Sequence, residues 1–168
     1  MRQTRDTSQQ SRFKDAPWFP KNKEICLVGG AGGIGSWLCF FLTKIGFKVN
    51  IYDFDTVEDH NLGGQLFQQR DIGQTKVNAI AAIIGDFCGS RITTFNERIT
   101  SSTPHHWYSF SAFDNMEARR TLFMNWKESW AGCPDGVTAI FIDGRLEIEQ
   151  LQIFCVTPIN ADKYEREY

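Results

Sequence analysis

Short apolar runs alternating with helix-period segments predict a doubly wound α/β fold. The sheet is expected to be mostly parallel and Rossmann-like, with helices on both faces and one antiparallel edge strand. Three observations carry this. The run ICLV meets a glycine cluster, VGGAGGIG, ahead of a helix-permissive stretch. A second run, VNIY, ends in the acids Asp53 and Asp55. Two later runs, FSAF and the stretch 137–142, also end at an acid, with a helical pattern between them.

Each element has its own reason. Residues 24–29 are almost continuously apolar, as a central parallel strand buried on both faces requires. Gly30, Gly32 and Gly35 form a GxGxxG: a tight turn, a close approach of backbone to phosphate, and close helix–strand packing. The helix expected over 34–45 aims its N-terminal N–H groups at that turn and so favours an anion there. Gly46 suits the residue just past its end. The strand at 49–52 ends in Asp53, an acid placed to accept hydrogen bonds from ribose hydroxyls. From about residue 75, Val77, Ile80, Ile83, Ile84 and Phe87 recur at helical steps, with Lys76 at the start. Residues 91–99 alternate like a third strand, and 110–113 form a short strand ending at Asp114 and Asn115. A helix over about 117–130 carries Leu122, Phe123, Trp126 and Trp130 on one face, which reads as core. The fifth strand, 137–142, runs into Asp143, Gly144 and Arg145. Residues 150–156 alternate again as the antiparallel edge strand; Pro158 breaks the pattern before a charged tail.

The 168 residues suit one domain, 23–168, preceded by a polar arm over 1–22. A net charge of −2 gives no basic surplus for a nucleic-acid groove. The longest apolar run, 37–42, is too short for a membrane span, and the N-terminus has no apolar signal core. The five cysteines are widely spaced without a CxxC pair, which argues against a zinc knuckle and for a reduced, cytoplasmic setting. Cys133, in a Gly-Cys-Pro turn, is expected to be the most exposed of them.

In open α/β sheets ligands sit beyond the carboxyl ends of the strands. That rule places the glycine turn, Asp53, Asp55, Asp114 and Asp143 on one rim. Four acids around a phosphate would repel it unless a cation bridges them, as Mg2+ does for nucleotide triphosphates.

Five blocks then carry a resemblance: VGGAGGIG, YDFDTVEDHNLGGQ, DIGQTKV, AFDNMEARR and FIDGR, in this order. Together they resemble the ThiF/MoeB/HesA-type adenylyltransferases, whose larger relatives are the ubiquitin-activating enzymes, over about residues 24–156. The resemblance implies ATP rather than NAD. In such enzymes a carboxylate, usually the C-terminal glycine of a ubiquitin-like or sulfur-carrier protein, attacks the α-phosphate of Mg-ATP. The products are an acyl-adenylate and pyrophosphate. Carried over, Gly30, Gly32, Gly33 and Gly35 cradle the phosphates and Asp53 holds the ribose. Asn61 and Lys76 contact the phosphates, and Asp114 holds Mg2+. Asp55, Gln65 and Arg119 support the loop and helix. A homodimer, or a heterodimer with a family member, is implied too.

Two departures are expected to matter. The family carries an arginine just before the glutamine, and this chain has Gly64 there. Arg2, Arg5 or Arg12 of a neighbouring subunit could supply the charge; otherwise Lys76 works alone, or adenylation is weak or absent. The chain also stops early for the family, as a minimal domain or a fragment would. Two other readings therefore stay open: an inactive nucleotide-binding scaffold or partner subunit, and an NAD-dependent oxidoreductase, which the first 55 residues permit.

Overall fold

A computed structural model describes residues 25–133 and 139–167. Six strands form a single sheet in the order β3-β2-β1-β4-β5-β6. They are β1 (Ile25–Gly29), β2 (Lys48–Tyr52), β3 (Thr93–Phe95), β4 (Tyr108–Ser111), β5 (Ile140–Glu147) and β6 (Gln150–Val156). The first five are parallel, with Cys26 of β1 in register with Val49 on one side and Tyr108 on the other. β6 returns antiparallel to β5, pairing Cys155 with Ile142. The doubly wound sheet and its antiparallel edge are as expected. The strand order reverses between β1 and β4, which opens a crevice at the carboxyl end of β1.

Helices cover both faces. α1 (Gly33–Lys44) and α2 (Lys76–Cys88) bury Cys39, Leu42, Ile80 and Ile84 against Cys26, Val28 and Ile51. α3 (Met116–Ser129) lays Leu122, Phe123 and Trp126 against Leu27, Tyr52 and Phe141 on the other face. The sequence-predicted aromatics of α3 are thus core. Strand alternation makes this division: neighbouring residues of β1 point to opposite helices. Gly46 (φ 105°) and Gly89 (φ 58°) end α1 and α2 in the left-handed conformation that glycine tolerates. Asn115 starts α3, its Oδ1 accepting from the N–H groups of Glu117 and Ala118 at 2.8 and 3.1 Å.

Several boundaries differ from expectation. β3 is only three residues long, because it pairs with β2 alone and leaves the sheet at Asn96. β4 begins and ends two residues earlier than the 110–113 run, so Phe113 lies past the strand and packs across Gly29. β5 continues through Asp143 to Glu147, since its antiparallel partner extends the ladder beyond the parallel strands. The tail forms a short helix, α4 (Ala161–Glu167). The arm over 1–22 lies outside the described residues. Among the described residues no helix is long and apolar enough to cross a membrane.

Candidate nucleotide site

A cavity of about 590 Å³ opens at the carboxyl ends of the strands. Gly30, Gly32 and Gly33 line it, with Asp53, Asp55, Gln65, Lys76 and Asp114. Eight of the sequence-predicted residues thus meet around one space.

The glycine turn divides its labour. Gly30 has φ 92°, and a Cβ there would lie 2.9 Å from the Ala112 carbonyl oxygen. A Cβ on Gly35 would fall 1.7 Å from the Gly30 carbonyl oxygen, so Gly35 serves the contact of helix with turn and does not line the cavity. At Gly32 and Gly33 a Cβ would meet nothing within 4 Å and would protrude into open space. Gly32 caps α1 with no side-chain bond, which leaves first-turn N–H groups for an anion.

Asp53 is buried, and both its oxygens already hold backbone: Oδ2 accepts from Ala31 N–H at 2.6 Å and Oδ1 from Asp55 N–H at 2.8 Å. It therefore ties the glycine turn to the end of β2, while each oxygen keeps a second lone pair for a ligand. Burial pushes its pKa up; the two N–H bonds and the nearby Lys76 charge oppose that without cancelling it. Lys76, the first residue of α2, is buried with Nζ 3.0 Å from Asp55 Oδ2. Its own N–H donates to the Asp55 carbonyl at 2.9 Å, so backbone and side chain fix the pair together.

Gln65 lines the cavity with its Oε1 buried and lacking a hydrogen-bond partner, an orphan that a ligand donor would satisfy. Asn61 does not line the cavity. It is buried in a short 3-10 turn (Asp59–Gly63), where its Oδ1 accepts from Glu58 N–H at 2.8 Å, and its carbonyl accepts from Gln65 N–H at 3.0 Å. In this structure it shapes the loop that presents Gln65. Gly64 is exposed, with its carbonyl 3.2 Å from Trp37 Nε1. Arg2, Arg5 and Arg12 lie outside the described residues.

Asp143 corrects the expectation of four acids on one rim. It sits inside β5, fully buried, and binds the Arg119 guanidinium, Arg145 Nε at 2.7 Å and Tyr164 Oη at 2.8 Å. Arg119 also donates to the carbonyls of Phe113 and of Gly144, the latter at 2.9 Å. The cluster braces the corner before Asp114; it does not face the cavity. Cys133 is half-buried and Cys155 is exposed, the reverse of what the sequence suggested.

Phe54, Glu97 and Arg98 are among the lining residues that the sequence did not single out. Phe54 stands between Asp53 and Asp55. Glu97 and Arg98 fall in a stretch read as strand, whereas they form the loop after β3. Arg98 lays its guanidinium carbon 3.8 Å from the Phe54 ring centroid.

The donor set bears on magnesium. Among the described residues no group of three or more His, Cys, Asp or Glu side chains is arranged to hold a metal. Asp114 on the cavity wall suits the sparser mode of Mg2+, one or two carboxylates plus oxygens of the ligand.

A Saccharomyces cerevisiae protein named ubiquitin-activating enzyme E1-like is 36% identical over 125 residues, covering 69% of this chain and 20% of its own length. The Caenorhabditis elegans NEDD8-activating enzyme E1 catalytic subunit is 34% identical over 131 residues, covering 69% of this chain and 30% of its own. This chain thus spans less than a third of either relative. Among solved structures, E. coli tRNA N6-threonylcarbamoyladenosine dehydratase, TcdA, in complex with ATP superposes with a TM-score of 0.63 at 20% identity. That match covers 94% of this chain and 66% of the other. E. coli MccB with MccA-N7isoASN gives a TM-score of 0.66 at 16% identity, over 89% and 42% of the two chains. The profile of the ThiF family matches residues 21–126, and the chain belongs to that family.

Proposed function

We propose that this domain binds Mg-ATP and adenylates a carboxylate, the C-terminus of a ubiquitin-like or sulfur-carrier protein, with release of pyrophosphate. One observation carries the reading: a lysine held by Asp55 and a carboxylate, Asp114, flank a glycine turn whose open side is free of side chains. Phosphate oxygens at Gly32 and Gly33 would meet backbone N–H groups, and Gln65 Oε1 would accept from the ligand. Lys76 would stabilise charge that develops on the phosphoryl oxygens as the carboxylate attacks. Asp114 would hold Mg2+, which neutralises phosphate charge when bound. The relatives' names, which include activating enzymes for NEDD8 and SUMO, support the choice of substrate.

In this reading the domain works in a reduced, cytoplasmic setting and pairs with itself or with another family member. Leu146, Leu151 and Ile153 stand exposed on one face of the β5–β6 hairpin, as a surface for such pairing would. A second reading, an inactive partner subunit, draws on Gly64, which leaves the phosphate site without the family's arginine.

ATP–pyrophosphate exchange with Mg2+ and candidate carrier proteins tests the choice. Exchange is expected with a cognate carrier, and Asp114→Ala or Lys76→Ala should lower it by about 10²–10³-fold. Tight ATP binding with no exchange for any carrier supports the inactive subunit. Binding of NADH in preference to ATP sinks both.

A further inference from the structure

Two neighbouring side chains of α1, Ser36 and Trp37, make contacts that the proposed chemistry leaves unused. Ser36 is fully buried, and its Oγ accepts from Leu66 N–H at 3.1 Å. Trp37 is 41% exposed, and its Nε1 donates to the Gly64 carbonyl at 3.2 Å. The indole also stacks on Phe41, one turn on, with ring centroids 6.4 Å apart. The two bonds take hold on either side of a single residue, Gln65.

Gln65 stands where the chain has least to hold it. It follows Gly63 and Gly64, and glycine loses more freedom on folding than any other residue. Its own N–H donates to the Asn61 carbonyl at 3.0 Å, and its carbonyl accepts from Phe67 N–H at 2.8 Å. Backbone from 64 to 66 is thus fixed at four points, while Gln65 Oε1 stays buried and without a partner in the cavity wall. Lys76 can act on a phosphate through its charge, which falls off gradually with distance. An uncharged amide acts only through hydrogen bonds, which weaken steeply away from their preferred length and angle. A displacement that Lys76 tolerates therefore disables Gln65.

We propose that Ser36 and Trp37 are positioning residues: they pin the loop on both sides of Gln65 so that its amide meets the nucleotide held on the glycine turn. The inference rests on the nucleotide reading above. Both bonds start near the N-terminus of α1, the end that faces the phosphates in that reading. Gln65 is thereby set against the anion site itself. Neither Ser36 nor Trp37 lines the cavity, so an effect of either on a ligand must pass through the loop. Each hold depends on one group. Alanine at 36 removes the acceptor, and phenylalanine at 37 keeps a ring but removes the donor.

Calorimetric titration of the full chain with Mg-ATP tests this, with Ser36→Ala and Trp37→Phe each made in wild type and in Gln65→Ala. Thermal melting confirms that each variant folds, and Trp37→Phe, at the surface, carries the test should Ser36→Ala melt early. Gln65→Ala is expected to weaken ATP about 10-fold, the loss of one hydrogen bond to a charged ligand. In the wild-type background each α1 variant should weaken ATP by about 2-fold or more, and by no more than Gln65→Ala does. In the Gln65→Ala background the same changes should weaken it by less than about 2-fold, because residues that act through one another are not additive. Equal losses in both backgrounds overturn the proposal and make Ser36 and Trp37 general supports of α1. ATP binding unaltered in the α1 variants, or in Gln65→Ala, also overturns it, while leaving the nucleotide reading intact. A wild type that binds no ATP overturns both.

Discussion

Lys76 shows how one residue can be costly and useful together. A buried ammonium persists only when paired, and Asp55 at 3.0 Å provides the partner and part of the geometry. A phosphate ligand would add a second anion to the same lysine, so affinity for a triphosphate depends on what other cations stand near. The resemblance implies an arginine where this chain has Gly64. Its backbone angles, φ −138° and ψ −12°, suit an L-residue, and a Cβ there meets nothing within 4 Å. Gly64→Arg should therefore fold normally and tighten ATP binding by about 10-fold, the effect of one charge-assisted bond. The gain should fade as salt is raised. Titration calorimetry at two salt concentrations checks both parts; no gain at low salt would show that another group already fills the role. Cys39 is the opposite sort of residue. Burial pushes its thiol up to about 12, so it acts as a small hydrophobe under α1 and carries no chemistry.

At the scale of elements, β5 and α3 are fastened by the buried acid Asp143. Arg119 from α3, Arg145 from β5 and Tyr164 from α4 all converge on it. Burial and the Asp143 charge push the Tyr164 phenol up, so it remains a hydrogen-bond donor. Removing the acid leaves two guanidinium groups facing each other in a closed space. Asp143→Ala should cost about 3–5 kcal/mol in urea unfolding. Because Arg119 also holds the Phe113 carbonyl, the variant should loosen the corner that carries Asp114. Hydrogen exchange at the start of α3 would report that; exchange there unchanged would confine the cluster to stability. The FIDGR block thus does its work from inside the sheet.

The whole molecule gathers its site at one place because the strand order reverses beside β1. There α1 and α2 approach from one face and α3 from the other, and the loops after β1, β2, β3 and β4 enclose a single cavity. A ligand that bridges these loops binds the folded chain alone and stabilises it by mass action. ATP at about 100 times its dissociation constant should add about 2.7 kcal/mol, a rise in melting temperature of roughly 5–10 °C. Thermal melts across an ATP series check this.

The sequence by itself determined the alternation of strands and helices and the glycine turn, and it singled out Asp53, Lys76, Gln65 and Asp114, which the fold brings to one cavity. Those features are local: apolar runs, glycine spacing and short blocks of residues survive being read one after another. The tertiary structure alone decided three others. Asp143 looked like a rim acid because its strand was expected to end before it, and only pairing with β6 carries the strand past it into the core. Asn61 is expected at the phosphates from its block, and the fold engages its Oδ1 in a turn with Glu58 N–H. Arg98 and Phe54 are far apart in the chain, and no pattern in either segment signals that they meet. Contacts between segments are set by strand order and register, which depend on how the whole apolar surface is buried and not on any one stretch of residues.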